Sequence, residues 1–109
     1  MATGLNRGEV RFFRFPKPVK QRPVLILTRD SALPYLTRVS VAPITSTIRG
    51  VPSEVRLGPE DGMKQECVVN LHNVMTVSAE GLGRRIGALS ATRMKEVCSA
   101  LGFALGCSG

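Results

Sequence analysis

Arg22 and Thr45 are the residues whose type and position best suit the binding of an anion. Arg22 precedes Pro23 and the apolar run 24–27, whereas Thr45 and Ser46 end a second apolar run that begins at residue 39. A guanidinium can donate paired hydrogen bonds to two phosphate oxygens, and a hydroxyl can add another. The alternatives are a structural ion pair for Arg22 and an ordinary strand position for Thr45. If the two strands are neighbours in a sheet, the two side chains share one site.

Three further residues could exchange protons. His72 is the only histidine, and an imidazole with its unperturbed pKa of about 6.5 can act as a base or an acid near neutral pH. However, His72 lies between apolar runs, where a hydrogen-bonded structural histidine is the commoner case. Glu9 and Glu54 are the candidate carboxylates, and for both the alternative is a surface ion pair. With no histidine pair and no carboxylate cluster, the sequence leaves the mechanism open beyond Arg22.

The basic charge is concentrated in the first half of the chain. The formal net charge is +7; up to Arg56 there are ten basic and three acidic residues, and after it there are five of each. Within 16 residues that hold a single acid, Glu9, the sequence places six bases: Arg7, Arg11, Arg14, Lys17, Lys20 and Arg22. This cluster predicts a surface for a polyanion, and the alternative is a solvated, solubilising face.

Three of the five aromatic residues, Phe12, Phe13 and Phe15, lie inside this basic stretch. In single-strand binders, exposed aromatic rings stack on unpaired bases. Strand alternation puts Phe13 and Phe15 on one face and Phe12 on the other, so we expect at least one of the two sets to belong to the core.

Cysteine usage and hydropathy limit the class of protein. The three cysteines, Cys67, Cys98 and Cys107, lack CxxC spacing, and their odd number leaves at least one of them unpaired. Neither a metal site nor a disulfide framework is therefore indicated. No apolar run approaches the roughly 20 residues of a membrane span, and the first six residues lack a signal-peptide core. We therefore expect a cytoplasmic protein with no metal, no cofactor and no membrane association.

The pattern of elements predicts a small, mainly β protein with a C-terminal helix (α+β). Strands are predicted over residues 8–15, 24–27, 37–46, 51–57, 67–71, 74–77 and 85–89, with a short helical turn within residues 30–35. After Ser90 as a cap, residues 94, 97, 98, 101 and 105 form the apolar face of a helix that stops at Gly106. We expect one domain over residues 1–109, with residues 1–6 as a flexible arm, folded as an SH3-like curved antiparallel sheet or barrel.

Several short segments, in order and spacing, resemble the MazF/PemK toxins of bacterial toxin–antitoxin systems. They are Arg7-Gly8-Glu9-Val10, Arg22-Pro23-Val24-Leu25-Ile26-Leu27, Val41-Ala42-Pro43-Ile44-Thr45-Ser46, Glu54-Val55, Asn73-Val74 with Thr76, and Ile86-Gly87-Ala88-Leu89-Ser90. The resemblance implies a fold like that of the CcdB and PemK toxins, a homodimer, and a ribosome-independent endoribonuclease acting on single-stranded RNA. It also implies a cognate antitoxin whose acidic segment lies across the RNA site.

The resemblance places the family's catalytic arginine on Arg22 and its catalytic threonine on Thr45. The chain departs from many members in its loop over residues 16–21, which lacks the usual acidic and glycine residues, and in having Met75 where arginine is frequent. The residues that we expect to bind RNA are Arg14, Lys17, Lys20, Gln21, Ser46, Arg49, His72 and Asn73. Two other functions stay open at this stage: a toxin of the same fold that acts on a protein such as DNA gyrase, and a non-catalytic RNA-binding barrel.

Overall fold

A computed structural model describes residues 4–16 and 21–107, which form seven strands and one α-helix. The strands are β1 (Glu9–Arg14), β2 (Gln21–Ile26), β3 (Arg38–Thr45), β4 (Glu54–Leu57), β5 (Cys67–Asn70), β6 (Met75–Ser78) and β7 (Leu82–Ala88), and the helix is α1 (Ala91–Leu105). The mainly β class with one C-terminal helix is therefore confirmed. Within the described residues, no helix has the length and apolarity that crossing a bilayer requires.

All strands pair antiparallel in one curved sheet of order β4-β5-β3-β2-β1-β7, and β6 pairs with β3 beside this path. β3 serves two partners along one edge, because its first half pairs with β6 and its last two residues pair with β5. In the part of the chain that the structure describes, β4 and β7 are the two edge strands and do not pair with each other. The sheet is therefore curved but does not close into a barrel.

The two central strands have cores on both faces. Leu25 of β2 belongs to a cluster with Ala42 and Ile44 of β3 and with the helix, whereas Val24 and Ile26 belong to a second cluster on the opposite face. Because successive side chains of a strand alternate between faces, a run without polar residues requires cover on both sides. The unbroken apolar run of β2 is thus explained by its central position.

Helix α1 begins and ends where capping chemistry predicts. The Ser90 hydroxyl accepts a hydrogen bond from the Arg93 backbone N–H at 3.1 Å. Gly106 has φ 74°, and its N–H donates to carbonyls of the last turn. Since a left-handed residue after the last turn costs glycine no steric strain, this is a favourable helix stop.

The buried face of α1 is narrower than its apolar spacing predicts. Val97 and Ala100 are buried in the larger core cluster. Cys98 and Leu105, predicted on the same face, are exposed. The prediction was wrong for these two because the helix meets the sheet along a stripe centred between residues 97 and 100, which leaves both of them at its margin.

Several strand boundaries also differ from the prediction. β4 begins at Glu54 rather than residue 51, because the Glu54 N–H donates to the Val51 carbonyl at 3.0 Å and closes a turn there. The segment after β5 is a 3-10 helix, Leu71–Asn73, rather than a continued strand. β7 begins three residues early, at Leu82.

The first described residues contact the rest of the fold. Leu5 packs against the second core cluster, and the Asn6 N–H donates to the Glu9 carboxylate at 3.0 Å. Arg11 donates to the Gly4 carbonyl at 3.1 Å. Residues 4–6 of the predicted arm are thus held to β1.

Glu9 is a buried carboxylate and not the surface ion-pair partner that was expected. It is 5% exposed and accepts hydrogen bonds from Arg11 Nε at 3.1 Å and from Arg85 Nε at 2.9 Å. Burial opposes its ionisation, but the Asn6 N–H and the two guanidiniums outweigh it, so the pKa of Glu9 lies below its ordinary value. Glu9 therefore joins β1 to β7 electrostatically.

Glu9→Gln is expected to lower the free energy of unfolding by roughly 2 kcal/mol at pH 7, because it removes a buried charge from two guanidiniums. The lowered pKa means that the contribution is present above pH 4.5, the ordinary value, and is lost as pH falls through the folded-state pKa. Urea unfolding at pH 7 and pH 3 measures this, with the gap between wild type and variant shrinking at pH 3.

The control is Glu66→Gln, which removes the exposed pair with Arg56 and should change stability by less than about 1 kcal/mol. Equal losses in the two variants, or a Glu9→Gln deficit unchanged at pH 3, would contradict this assignment.

Candidate active site

Strands β2 and β3 bring Arg22 and Thr45 together. The antiparallel pairing of these strands ends at Val24 and Pro43, which lie two residues from Arg22 and Thr45 respectively. Both line one cleft, together with Ser46. The expectation that the two strands are neighbours is confirmed.

Arg22 is available to a ligand. Its side chain is exposed, and within residues 4–16 and 21–107 it takes part in none of the ion pairs. Pro23, which follows it, is the third residue of β2 and fixes φ there, before the pairing with β3 begins at Val24. The structural ion pair considered as an alternative is therefore absent from the described part of the chain.

Thr45 is oriented by the turn that follows it. Its Oγ1 accepts a hydrogen bond from the Thr47 backbone N–H at 3.1 Å. A hydroxyl that accepts through a lone pair keeps its own proton free to donate. The Thr45 O–H is consequently held at the strand end in a position to donate to an anion.

The cleft has a volume of about 470 Å³ and three walls. Arg22, Thr45 and Ser46 form one wall, Met63, Lys64 and Gln65 a second, and Phe12, Arg84 and Ile86 the third, while Gly62, Pro23, Ile44 and Cys67 complete the lining. Among the described residues, the lining contains three cations and no carboxylate. A concave site with one sign of charge concentrates ligands of the opposite sign.

An ion pair anchors the loop that forms the second wall. Asp61 accepts from Arg93 Nε at 2.9 Å and from Arg93 Nη2 at 3.2 Å, which ties the loop to helix α1. Burial opposes ionisation of Asp61, but the Arg93 bonds and the Gly58 N–H outweigh it, and its pKa lies below the ordinary value. Asp61 in turn raises the pKa of Arg93. Met63 inserts into the core, so Lys64 and Gln65 extend from a loop held at two points.

Cys67 lies at the floor of the cleft but is unsuited to nucleophilic chemistry. Its thiol is buried, and burial, followed by the charge of Asp61, raises its pKa above the ordinary value of 9.0. Because the thiolate is the reactive form, a raised pKa keeps this group inert at neutral pH.

Of the other sequence-predicted RNA contacts, those that the structure describes lie outside the cleft lining. Arg14 and Gln21 face each other across the β1–β2 pair, both exposed, at the end nearest the loop over residues 16–21. Lys17 and Lys20 of that loop lie outside the described residues. Arg49 is exposed, and its N–H donates to Glu54 at 3.1 Å. Glu54, a candidate carboxylate, thus closes this turn.

His72 and Asn73 lie in the 3-10 helix that packs beside α1 and β4. His72 Nδ1 is 2.5 Å from the Ser53 hydroxyl, and the His72 N–H donates to Asn70 Oδ1 at 3.1 Å. Neither residue lines the cleft with Arg22. His72 thus has a hydrogen-bond partner in Ser53, as its structural alternative expects, while the residue itself is exposed.

Two of the six clustered basic residues form hydrogen bonds within the fold. Arg7 donates to the Leu27 carbonyl and, at 3.1 Å, to Cys98 Sγ. Arg11 donates to Glu9, to the Gly83 carbonyl and to the Gly4 carbonyl. Acceptors within the fold thus engage the guanidiniums of these two members of the predicted six-residue patch.

Three cleft residues, Lys64, Gln65 and Arg84, escaped the sequence-based prediction. They come from the second half of the chain, where basic and acidic residues balance, so charge clustering gives no signal there. Arg84 and Arg85 are adjacent in a strand, and only the pairing of β7 decides which one faces the cleft. Within the described residues, no group of three or more His, Cys, Asp and Glu side chains could hold a metal ion.

Comparison with known proteins agrees with this geometry. The family described as "PemK-like, MazF-like toxin of type II toxin-antitoxin system" matches residues 6–105. The "Probable endoribonuclease MazF5" of Mycobacterium tuberculosis is 45% identical over 103 residues, which cover 94% of each chain.

Two solved structures have the same fold. "Mycobacterium tuberculosis toxin MazF-mt6" aligns with a TM-score of 0.84 and 39% identity, covering 93% of this chain and 99% of the other. An "Endoribonuclease in complex with its cognate antitoxin from Mycobacterial species" aligns with a TM-score of 0.86 and 26% identity, covering 97% and 99%. The expected resemblance is confirmed, and the chain belongs to the PemK-like, MazF-like family of toxins from type II toxin–antitoxin systems.

Proposed function

We propose that this chain is the toxin of a type II pair and a ribosome-independent endoribonuclease that cuts single-stranded RNA at a short sequence. The observation that carries the proposal is the presence of Arg22 and Thr45 in one cleft whose described lining is cationic. The relatives named as endoribonucleases match this chain over nearly its whole length.

The reaction uses the nucleophile that RNA carries. The 2′-oxygen loses its proton and bonds to the adjacent phosphorus, the bond from phosphorus to the 5′-oxygen breaks, and that oxygen takes up a proton. The products are a 2′,3′-cyclic phosphate and a 5′-hydroxyl. Negative charge accumulates on the non-bridging oxygens between these steps, and fixed donors aimed at that charge lower the barrier.

Arg22 supplies the principal donors. Its planar guanidinium can hold both non-bridging oxygens through two parallel hydrogen bonds, and it stays charged at any working pH. Thr45 adds its oriented hydroxyl, while Ser46 and Lys64 hold neighbouring phosphates. The described lining offers no imidazole and no carboxylate, so we assign the rate enhancement to charge stabilisation rather than to a side-chain base.

RNA beyond the cut is bound along the basic end of the β1–β2 pair. Arg14 and Gln21 are exposed there, and Lys17 and Lys20 lie between them in sequence. Salt-dependent contacts from such cations to the phosphate backbone supply affinity without reading bases. We also assign Arg49, His72 and Asn73 to RNA that extends past the cleft.

The two other candidate functions are less well supported. A non-catalytic RNA-binding protein would not need a guanidinium and an oriented hydroxyl on the same phosphate. A toxin directed at a protein would not need a cleft whose described lining is cationic. The relatives' names also favour RNA cleavage.

The proposal includes the partners expected for such a toxin. We infer a homodimer of single-domain chains in the cytoplasm, consistent with three free cysteines, and an antitoxin encoded with it. An antitoxin complex is known for the mycobacterial endoribonuclease of similar structure. Carboxylates of an acidic antitoxin segment can compete with phosphates for the same donors.

Cleavage of a mixed single-stranded RNA is expected to persist in excess EDTA and to leave 2′,3′-cyclic phosphate and 5′-hydroxyl ends, because the nucleophile belongs to the RNA. End-group analysis of the sequenced fragments measures this. As a control, a single 2′-deoxy nucleotide at the mapped cut site should abolish cutting there. Loss of activity on chelation, or cutting at the 2′-deoxy site, would reject the mechanism.

Arg22→Ala is expected to lower kcat by about 100-fold or more, since one preorganised donor to a developing oxyanion contributes about 3 kcal/mol. Arg22→Lys should recover only part of the rate, because an ammonium lacks the paired geometry. The control is Arg38→Ala on β3, which is exposed and outside the cleft lining. A folded Arg22→Ala protein with wild-type turnover would remove Arg22 from the reaction.

The cognate antitoxin is expected to compete with RNA, and neutralising Lys17 and Lys20 together should weaken its inhibition by about fivefold, as lost surface charge pairs imply. The matched control neutralises Arg29 and Arg38, which are exposed. Inhibition curves at fixed RNA measure both. If toxin saturated with antitoxin binds and cuts RNA as well as free toxin does, the two ligands do not share the site.

A further inference from the structure

The third wall of the cleft contains a cation–π pair, Arg84 and Phe12, to which the proposed reaction assigns no role. The Arg84 guanidinium lies over the Phe12 ring, with Cζ 5.2 Å from the ring centroid, within the range of cation–π attraction. Both side chains line the cleft that contains Arg22. Arg84 is exposed, so the face of its guanidinium that points away from Phe12 is open.

An irregularity in the β1–β7 ladder lies at this pair of side chains. Arg11 pairs with Arg85 and Phe13 pairs with Leu82, so Gly83 and Arg84 together oppose the single residue Phe12. Two residues opposite one define a β-bulge, a feature that re-aims side chains and is common beside active sites.

Phe12 is also separated from its aromatic neighbours. Phe13 and Phe15 pack against the second core cluster and contact each other edge to face, with ring centroids 5.0 Å apart. Phe12 is half-buried on the opposite face of β1, and it is the aromatic side chain of the described cleft lining. The core accounts for Phe13 and Phe15, whereas Phe12 supports Arg84.

We propose that the Phe12–Arg84 pair is a nucleobase-stacking subsite that receives one unpaired base next to the scissile phosphate. Protein sites for single-stranded RNA stack splayed bases on aromatic rings and on guanidinium planes. Phe12 holds the Arg84 plane, and the base stacks on its open face. Because Arg22 lines the same cleft, the base belongs to the cut nucleotide or its neighbour. This inference rests on the proposed ribonuclease function and adds a positional requirement for a base.

The test combines protein variants with RNA strands in which each nucleotide flanking the mapped cut is made abasic in turn. With wild type, one abasic position should lower kcat/KM by about tenfold or more, as stacking contributions imply. Arg84→Lys, which keeps the charge but loses the plane, should lose a similar factor on intact RNA. It should then lose almost nothing further on the abasic strand.

Phe12→Leu should behave like Arg84→Lys, since the guanidinium loses its support while apolar bulk is kept. The controls are Phe103→Leu, an exposed aromatic on α1, and Arg38→Lys, and both should show the full abasic penalty. A variant that merely damages the fold lowers the rate but leaves that penalty intact. If Arg84→Lys still shows the full loss of kcat/KM on the abasic strand, in addition to its own loss on intact RNA, the subsite is therefore overturned.

Affinity for 2′-O-methyl strands, which cannot be cut, separates this inference from the proposed function. The first outcome is that wild type loses affinity when one base is removed, Arg84→Lys does not, and wild type cuts no RNA. In that case the subsite stands and the ribonuclease assignment fails. If wild type cuts RNA but neither cleavage nor affinity depends on a base at any flanking position, the ribonuclease stands and the subsite is rejected.

Discussion

The register between β2 and β3 is the constraint on which the site depends. Val24 and Ile26 face one core while Leu25 faces the other, and the residues of β3 alternate in the same way. A slip of one residue would exchange the two faces of a strand that is buried on both sides. Core packing therefore sets the register, and the register brings together the strand ends that carry Arg22 and Thr45.

The arginines of this protein divide into those that stabilise the fold and those that remain available. Arg7, Arg11 and Arg93 are bound by internal carbonyls and carboxylates, and Glu9 and Asp61 are the buried acids at the centre of two such groups. A buried carboxylate requires nearby donors because desolvation disfavours its charge. Arg22 and Arg84 lie in a cleft whose described lining has no acid, so their charge is directed at a ligand.

The cleft gains its shape from two irregular segments. The bulge in β7 contains Arg84, whose guanidinium lies over Phe12. The loop before β5 is held by the Asp61–Arg93 pair on one side and by Met63 in the core on the other. Rigid support of this kind reduces the conformational entropy that a binding residue loses when it meets its ligand. The walls of the site are thus ordered before RNA arrives.

The sequence by itself determined the class of fold, the strand and helix order, the caps of α1 and the pair Arg22 and Thr45, because these follow from local periodicity, capping residues and short motifs. Only the tertiary structure decided which of the six clustered bases are free, since Arg7 and Arg11 are satisfied by residues distant in sequence such as Leu27 and Gly83. It likewise decided that Glu9 is buried, that His72 bonds to Ser53, and that Arg84 rather than Arg85 enters the cleft. Strand pairing and bulges create these contacts, and one residue of register reverses the face of every side chain.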